Sequence, residues 1–141
     1  ILSGSATRII KVRRVILGGA ATSASAFVMN LVRRSTAATG GTATTPTPIR
    51  RDTTEQAATA VVQQFSANPS AVGTAVGTLQ SVRVNLGALA TPNPPFDRSF
   101  GDLTTEPILL RGASEFLAVD FAGASIPGGM VFDYTIIWTE E

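Results

Sequence analysis

The stretch "MVFDYTIIWTE", residues 130–140, indicates the fold class of this chain most clearly. Met130, Phe132, Tyr134, Ile136 and Trp138 occupy every second position, with mostly polar or smaller residues between them. Alternate residues of a β-strand point to opposite faces of its sheet, so this spacing predicts a long strand with one buried face.

Seven other runs share the composition of short strands, with β-branched, aromatic and other apolar residues bounded by Gly, Pro, Ser and Thr. They are "TRIIKVRRVIL", "SAFVMNLVRRS", "EQAATAVVQQFSANP", "LQSVRVNLG", "FDRSFG", "PILLRG" and "EFLAVDFAG". The third would also suit a short helix, since Ala and Gln favour helix. "AVGTAVGTL" is interpreted as a loop that leads into the fourth run, and "TPNPPF" as a proline-rich crossing.

This pattern predicts an all-β chain with about eight strands and long Thr/Gly/Pro loops. We expect residues 1–141 to form a single antiparallel β-sandwich, jelly-roll-like in preference to immunoglobulin-like. The chain starts with "ILSGSAT", as though partway through a strand, so we expect a further N-terminal segment before Ile1. Residues 15–32 carry no charge, but their centre is rich in Gly, Ala, Ser and Thr, which favours two strands joined by a hairpin over a membrane span. A soluble protein is therefore expected.

Side-chain alternation predicts which residues of the first two long runs are buried. Ile10, Val12 and Ile16 share one face of the first run, and Phe27 begins the apolar face of the second, with Met29 and Leu31 following it. Arg14 falls on the apolar face of the first run, so we expect it near a strand end or paired with an acid. In the third run, Val61 and Phe65 are expected on one face. Seven of the nine aromatic residues lie between positions 96 and 138, so the last strands are expected to supply much of the core volume.

Charge is distributed unevenly along the chain. Residues 1–51 carry eight basic side chains and no acid, while residues 52–141 carry a net charge of −7, giving +1 in total. A basic half could face nucleic acid, but the arginine pairs have only Phe27 as a nearby aromatic. We therefore prefer the interpretation that basic strands pair with acidic strands, within one subunit or between subunits, and do not expect nucleic-acid binding.

The residue types present argue against catalysis. The chain has no Cys and no His, which excludes thiolate and imidazole nucleophiles and the usual zinc ligands. Ser114 lacks the flanking glycines of a nucleophile elbow and is interpreted as part of a hairpin turn. Glu115 and Asp120 are five residues apart, so on a strand they point to opposite faces. We expect no enzyme activity, cofactor or metal.

The stretch "LVRRSTAATGGTATTPTPIRRD", residues 31–52, has an arginine pair near each end. We interpret it as a strand end, a long exposed loop and a return into the next strand. Its arginines are the candidate partner-contact residues: Arg33, Arg34, Arg50 and Arg51.

The strings "IIKVRRVILGGAATSASAFVMNLVRRSTAATGGTATTPTPIRRD", "AATAVVQQFSANPSAVGTAVGTL", "ILLRGASEFLAVDFAG" and "IIWTEE" together resemble small structural virion proteins of tailed bacteriophages. "FSANP" stands where "YTANP" is usual in that pattern. The resemblance implies a virion location and a jelly-roll decoration or cement protein that binds the major capsid protein or other virion proteins, as a homo-oligomer and often a trimer. The alternative is a receptor- or glycan-binding head domain of a tail fibre or spike, which would carry an exposed aromatic platform.

Overall fold

The computed structural model describes residues 1–23, 25–86, 96–103, 105–121 and 130–141. Within these ranges the chain forms strands and no helix, so the all-β prediction is confirmed. The ten strands are β1 (Leu2–Ser3), β2 (Ile9–Ala20), β3 (Ser25–Arg34), β4 (Thr42–Thr44), β5 (Gln64–Ala67), β6 (Ala75–Leu86), β7 (Phe96–Ser99), β8 (Ile108–Arg111), β9 (Phe116–Asp120) and β10 (Val131–Glu140). Most of the predicted proline-rich crossing, residues 91–95, lies outside the described residues.

Eight of the strands form two four-stranded antiparallel sheets. The first sheet has the order β1-β9-β3-β6. In the second, β10 pairs with one side of β2, while β7 and β8 pair with successive stretches of its other side. The strands β7 and β8 thus act as one edge strand that is interrupted by residues 100–107. Side chains from both sheets share one core, which makes the fold a β-sandwich.

The centre of the core is aliphatic. Leu2, Leu31 and Leu117 from the first sheet, and Ile10 and Leu110 from the second, are almost completely buried. Most aromatic side chains pack around this centre and are only partly buried, which differs from the expectation that the late aromatics would supply much of the core volume.

A β-bulge in β2 overturns one predicted face. Ile137 lies opposite Arg14 and Trp138 lies opposite Val12, so Arg13 is an extra residue in β2. The bulge shifts the alternation by one position, and Val15 is buried in place of Ile16. The prediction for Ile16 is therefore wrong.

The same bulge turns Arg14 out of the core. Its guanidinium forms a bidentate ion pair with Asp97 in β7, through both Nε and Nη2. This confirms the expectation that Arg14 pairs with an acid. The pairing lowers the pKa of the Asp97 carboxyl.

Two predicted hairpins are wrong. The connection between Ala20 and Ser25 joins β2 in the second sheet to β3 in the first, and the turn at residues 112–114 joins β8 to β9 in the same way. Neighbouring runs of strand residues indicate strands but not their partners, because pairing depends on how the two sheets pack.

The loop predicted within residues 31–52 and the run that follows it also differ in detail from the structure. The loop contains β4, which pairs with β5, so strand structure extends beyond the sandwich. In "EQAATAVVQQFSANP" only Gln64–Ala67 is a strand, and Val62 is buried while Val61 is exposed. The second "AVGT" lies in β6, whose first residue is Ala75.

Candidate partner-contact surface

The chain between β3 and β6 forms an antiparallel ribbon, residues 35–44 against 64–75, which we call the arm. The backbone nitrogen of Ser35 donates to the Thr74 carbonyl at 2.9 Å, and Thr39 exchanges two backbone hydrogen bonds with Ala71. The β4–β5 ladder continues the same pairing away from the sandwich. Its strands connect through residues 45–63.

The outer part of this connection is exposed and is ordered by its own polar groups. Ile49 is 93% exposed, and Arg50 and Arg51 beside it are also exposed. The Arg50 guanidinium donates to the Glu55 carbonyl. Asp52 accepts hydrogen bonds from the nitrogen and hydroxyl of Thr54 at 2.9 and 2.7 Å, and these bonds lower the pKa of its carboxyl. Within the described part of the chain, Arg51 has no side-chain hydrogen bond or ion pair, so its charge is available for a partner.

A buried carboxylate holds the end of this segment on the sandwich. The side chain of Glu140 is only 8% exposed. It accepts hydrogen bonds from the Thr59 backbone nitrogen at 2.9–3.0 Å, from the Thr59 hydroxyl at 2.6 Å and from the Ala60 nitrogen at 3.1 Å. The indole nitrogen of Trp138 donates to the same carboxylate at 3.0 Å, and Arg8 lies 3.6 Å from it.

The protonation of Glu140 follows from these contacts. Partial burial acts to raise the pKa of its carboxyl, but the hydrogen bonds from Thr59, Trp138 and Ala60 outweigh burial and hold the pKa below its ordinary value. The carboxylate is therefore charged at neutral pH. It fastens the arm connection to the last strand of the sandwich.

The residues after this anchor continue along the edge of the first sheet. Val62 lies directly opposite Leu2, and both side chains are buried. The backbone nitrogen of Ser3 donates to the Val61 carbonyl at 2.9 Å, and the nitrogen of Gln63 donates to the Ile1 carbonyl at 2.8 Å. The exposed segment 45–58 is thus held at one end by the β4–β5 ladder and at the other by the sandwich edge.

The predicted contact arginines lie in two different environments. Arg34 is 5% exposed and donates to the Gly73 carbonyl at 2.9 Å and to Asp120 at 2.5 Å. Arg33 projects to the opposite face of β3, where it donates to the Leu109 carbonyl. These two arginines join parts of the same chain, whereas Arg50 and Arg51 present their charges outward.

The uneven charge distribution is largely matched within the chain. Each ion pair in the described residues joins a base from the first 51 residues to an acid from the remainder, which confirms the preferred interpretation of the charge pattern. The pairs are Arg8–Glu140, Lys11–Glu141, Arg14–Asp97, Arg33–Glu115 and Arg34–Asp120. The last two also place Glu115 and Asp120 against arginines on opposite faces of β3, in agreement with the sequence prediction.

Sites for chemistry are sparse in the described part of the chain. It contains no group of three acidic residues placed to hold a metal ion. An open depression of about 300 Å³ lies over the loop at 101–107, and Asp102 there accepts two hydrogen bonds from Thr105 at 2.9 Å. Among the described residues, no helix is long and apolar enough to cross a membrane.

Comparison with protein-family models, curated proteins and solved structures finds no match to this chain.

Proposed function

We propose that this protein is a structural component of a bacteriophage virion, which binds and stabilises the capsid lattice as a decoration or cement protein. The observation that carries the proposal is the anchored arm, with Ile49, Arg50 and Arg51 exposed at its connection. The resemblance of the sequence strings to phage structural proteins gives the partner class, namely the major capsid protein or another virion protein.

The chemistry of the arm suits a protein surface as its partner. Ile49 in the arm connection and Val72 on the arm are exposed apolar side chains, and Val76 lies just beyond the arm in β6. Apolar side chains beside arginines are typical of protein–protein interfaces, where Arg is enriched because its planar guanidinium pairs with carboxylates and also packs flat. A connection that is already ordered by Asp52 and Glu140 loses less conformational entropy when it binds.

The second candidate, a glycan- or receptor-binding head domain, requires an exposed aromatic platform. All nine aromatic residues lie in the described ranges, and none of them is an exposed side chain. Tyr134 and Trp138 are half-buried against the core. The distribution of aromatics therefore favours the virion-stabilising function.

We also propose that the sandwich is a jelly roll. Without the small β4–β5 sheet, and with β7 and β8 counted as one interrupted strand, the two main sheets contain seven strands. In favour of this proposal, the described strands form two antiparallel sheets, and the chain crosses from one sheet to the other after β2 and again after β8.

The proposed function is tested on phage particles assembled with the gene for this chain deleted. Purified protein is added to these particles, and its occupancy is measured by cryo-electron microscopy and quantitative mass spectrometry. We expect the wild-type protein to bind at regular lattice positions and to raise the temperature at which the particles release DNA. Absence of the protein from native particles, or its presence at the tail only, would refute a capsid-stabilising role.

The role of the arm is tested with the double variant Arg50→Ala/Arg51→Ala. Loss of two interface arginines is expected to weaken particle binding at least tenfold, which corresponds to about 1.4 kcal/mol. Its thermal unfolding should match wild type because both side chains are exposed. The matched control is Arg83→Ala, an exposed arginine on β6, which should bind like wild type. Equal occupancy of the double variant and the control would show that the arm does not make the contact.

A further inference from the structure

We propose that the outer edge of β10 pairs with β10 of a second copy of this chain, antiparallel and centred on Thr135. The two second sheets would then join into one continuous sheet across a twofold axis. This inference concerns self-association and does not depend on the virion role. It is carried by the β10 edge, by the half-covered side chains on that strand and by its sequence.

The outer edge of β10 has backbone groups ready for pairing. The nitrogen of Ile9 donates to the Glu141 carbonyl at 2.7 Å, and the nitrogen of Glu141 donates to the Ile9 carbonyl at 3.0 Å. This is a hydrogen-bonded antiparallel pair, so odd-numbered residues here direct their backbone groups toward β2 and even-numbered ones direct them outward. The bulge lies in β2, and the alternation along β10 is therefore uninterrupted. Among the described residues, β10 pairs with β2 alone.

The side chains of β10 also indicate a missing neighbour. Phe132, Tyr134, Ile136 and Trp138 all face the core but are only partly buried. Their neighbours on β2, such as Val12 and Val15, are fully buried. A further strand beside β10 would cover this row of large apolar side chains.

In the described structure, β10 is the long edge with the fewest features that prevent pairing. The β6 edge is irregular, because its pairing with β3 shifts twice, and it carries an exposed arginine, Arg83. The β7/β8 edge is interrupted by residues 100–107, and the edge beyond β1 has only the short stretch 61–63. By contrast, residues 131–139 of β10 contain no Lys, Arg, Pro or Gly and only one acid, Asp133. Proteins usually protect exposed edges with such residues or with bulges, so an unprotected edge suggests a partner strand.

The sequence of β10 fits a second copy of itself. With Thr135 opposite its own counterpart, Asp133 lies opposite Ile137, so no like charges meet. On the core face, Phe132 lies opposite Trp138 of the second copy. Aromatic pairs of this kind stabilise antiparallel strands. Four hydrogen-bonded pairs of even-numbered residues would add about eight backbone hydrogen bonds.

A twofold pairing predicts a dimer or another even-numbered oligomer, whereas the family resemblance implies a trimer. The oligomeric state and the register are tested together by charge substitutions at Thr135. Its side chain is exposed on the face of β10 away from the core, so substitution should leave the fold intact. At the axis, the two copies of this residue form a non-hydrogen-bonded pair, in which side chains approach most closely.

The experiment measures the mass of the full chain by sedimentation velocity across a concentration series, with circular dichroism as a check on folding. We expect wild type to form dimers and Thr135→Lys and Thr135→Glu each to weaken dimerisation at least tenfold. An equimolar mixture of the two variants should restore dimers, because opposite charges then meet at the axis. The control Thr78→Lys, at an exposed position on β6, should dimerise like wild type.

Three results would overturn the proposal. A wild-type chain that is monomeric throughout, or trimeric, excludes twofold pairing through β10. Dimers that persist in Thr135→Lys place the contact elsewhere on the surface. Failure of the mixture to restore dimers excludes the register centred on Thr135.

Discussion

Replacing Glu140 with Gln tests whether its carboxylate fastens the arm connection to the sandwich. The carboxylate uses both oxygens, because Thr59, Ala60 and Trp138 donate to one or both of them and Arg8 lies beside the second. Glutamine keeps one acceptor oxygen and places an NH₂ group where the other oxygen was. That group would face the Arg8 guanidinium and the Thr59 backbone N–H, which are both donors.

The expected loss follows from the bonds that glutamine cannot make. Hydrogen bonds to a charged group contribute about 1.5–3 kcal/mol, and glutamine loses the charge and one acceptor. Part of this loss is offset because the neutral amide costs less to bury. We expect Glu140→Gln to lower the free energy of unfolding by about 2 kcal/mol, or roughly 5–8 °C in Tm for a chain of this size.

The assay can use Trp138, since it is the only tryptophan in the chain and donates directly to Glu140. Urea unfolding followed by its fluorescence gives the free energy of unfolding, and the emission of the folded state reports on the carboxylate itself. The control Glu106→Gln makes the same chemical change at an exposed position and should alter stability by less than about 0.5 kcal/mol.

The effect should also depend on pH in a defined direction. The pKa of Glu140 is lower in the folded protein than its ordinary value of 4.5. Its contribution to stability is therefore complete above pH 4.5 and declines as the pH falls from there through the lowered folded pKa. The difference between wild type and Glu140→Gln should stay constant from pH 5.5 to 7.5 and shrink in acid. Equal stabilities at pH 7, or a difference that grows on acidification, would refute this account of the anchor.

Two further predictions concern the core and the buried ion pair. Asp120→Asn leaves the buried Arg34 guanidinium without its ionic partner and should lower the free energy of unfolding by about 3 kcal/mol. The control Asp133→Asn makes the same change at an exposed position and should have little effect. Equal urea midpoints for the two variants would contradict this prediction. Leu110→Ala removes a fully buried side chain and should lower the free energy of unfolding by about 2–5 kcal/mol, as measured by calorimetry. The control Leu103→Ala, at a fully exposed position, should keep a free energy of unfolding within about 0.5 kcal/mol of wild type. A Leu110→Ala protein as stable as wild type would show that the core centre lies elsewhere.

Several features of the fold could be predicted from sequence because they depend on local patterns. Phe27, Met29 and Leu31 are buried as their alternation predicted, and Met130 to Trp138 present one apolar face to the core. Arg14 also pairs with an acid as expected from its position among apolar residues. Side-chain alternation has a period of two, so a few neighbouring residues are enough to indicate a strand and its buried face.

Other features depend on contacts between residues far apart in the chain. The bulge at Arg13 has no local signal that sets it apart from the rest of "KVRRV", and it reversed the predicted burial of Ile16. The sequence likewise did not predict that Arg34 is buried against Asp120 whereas Arg51 is exposed. Each of the two arginines belongs to an Arg-Arg pair beside an apolar residue, so their local sequences are alike. Their surroundings differ because of which strands lie nearby.

Local sequence patterns are enough to predict an all-β chain and the complementary charges of its two halves. The three-dimensional contacts, in contrast, establish which strands pair and that Glu140 fastens the arm connection. Among the described residues, they also leave the outer edge of β10 without a partner strand, beside half-buried apolar side chains. This difference arises because alternation, composition and charge are properties of neighbouring residues. Strand partners and carboxylate anchors join positions tens of residues apart, and they form only when two sheets pack together.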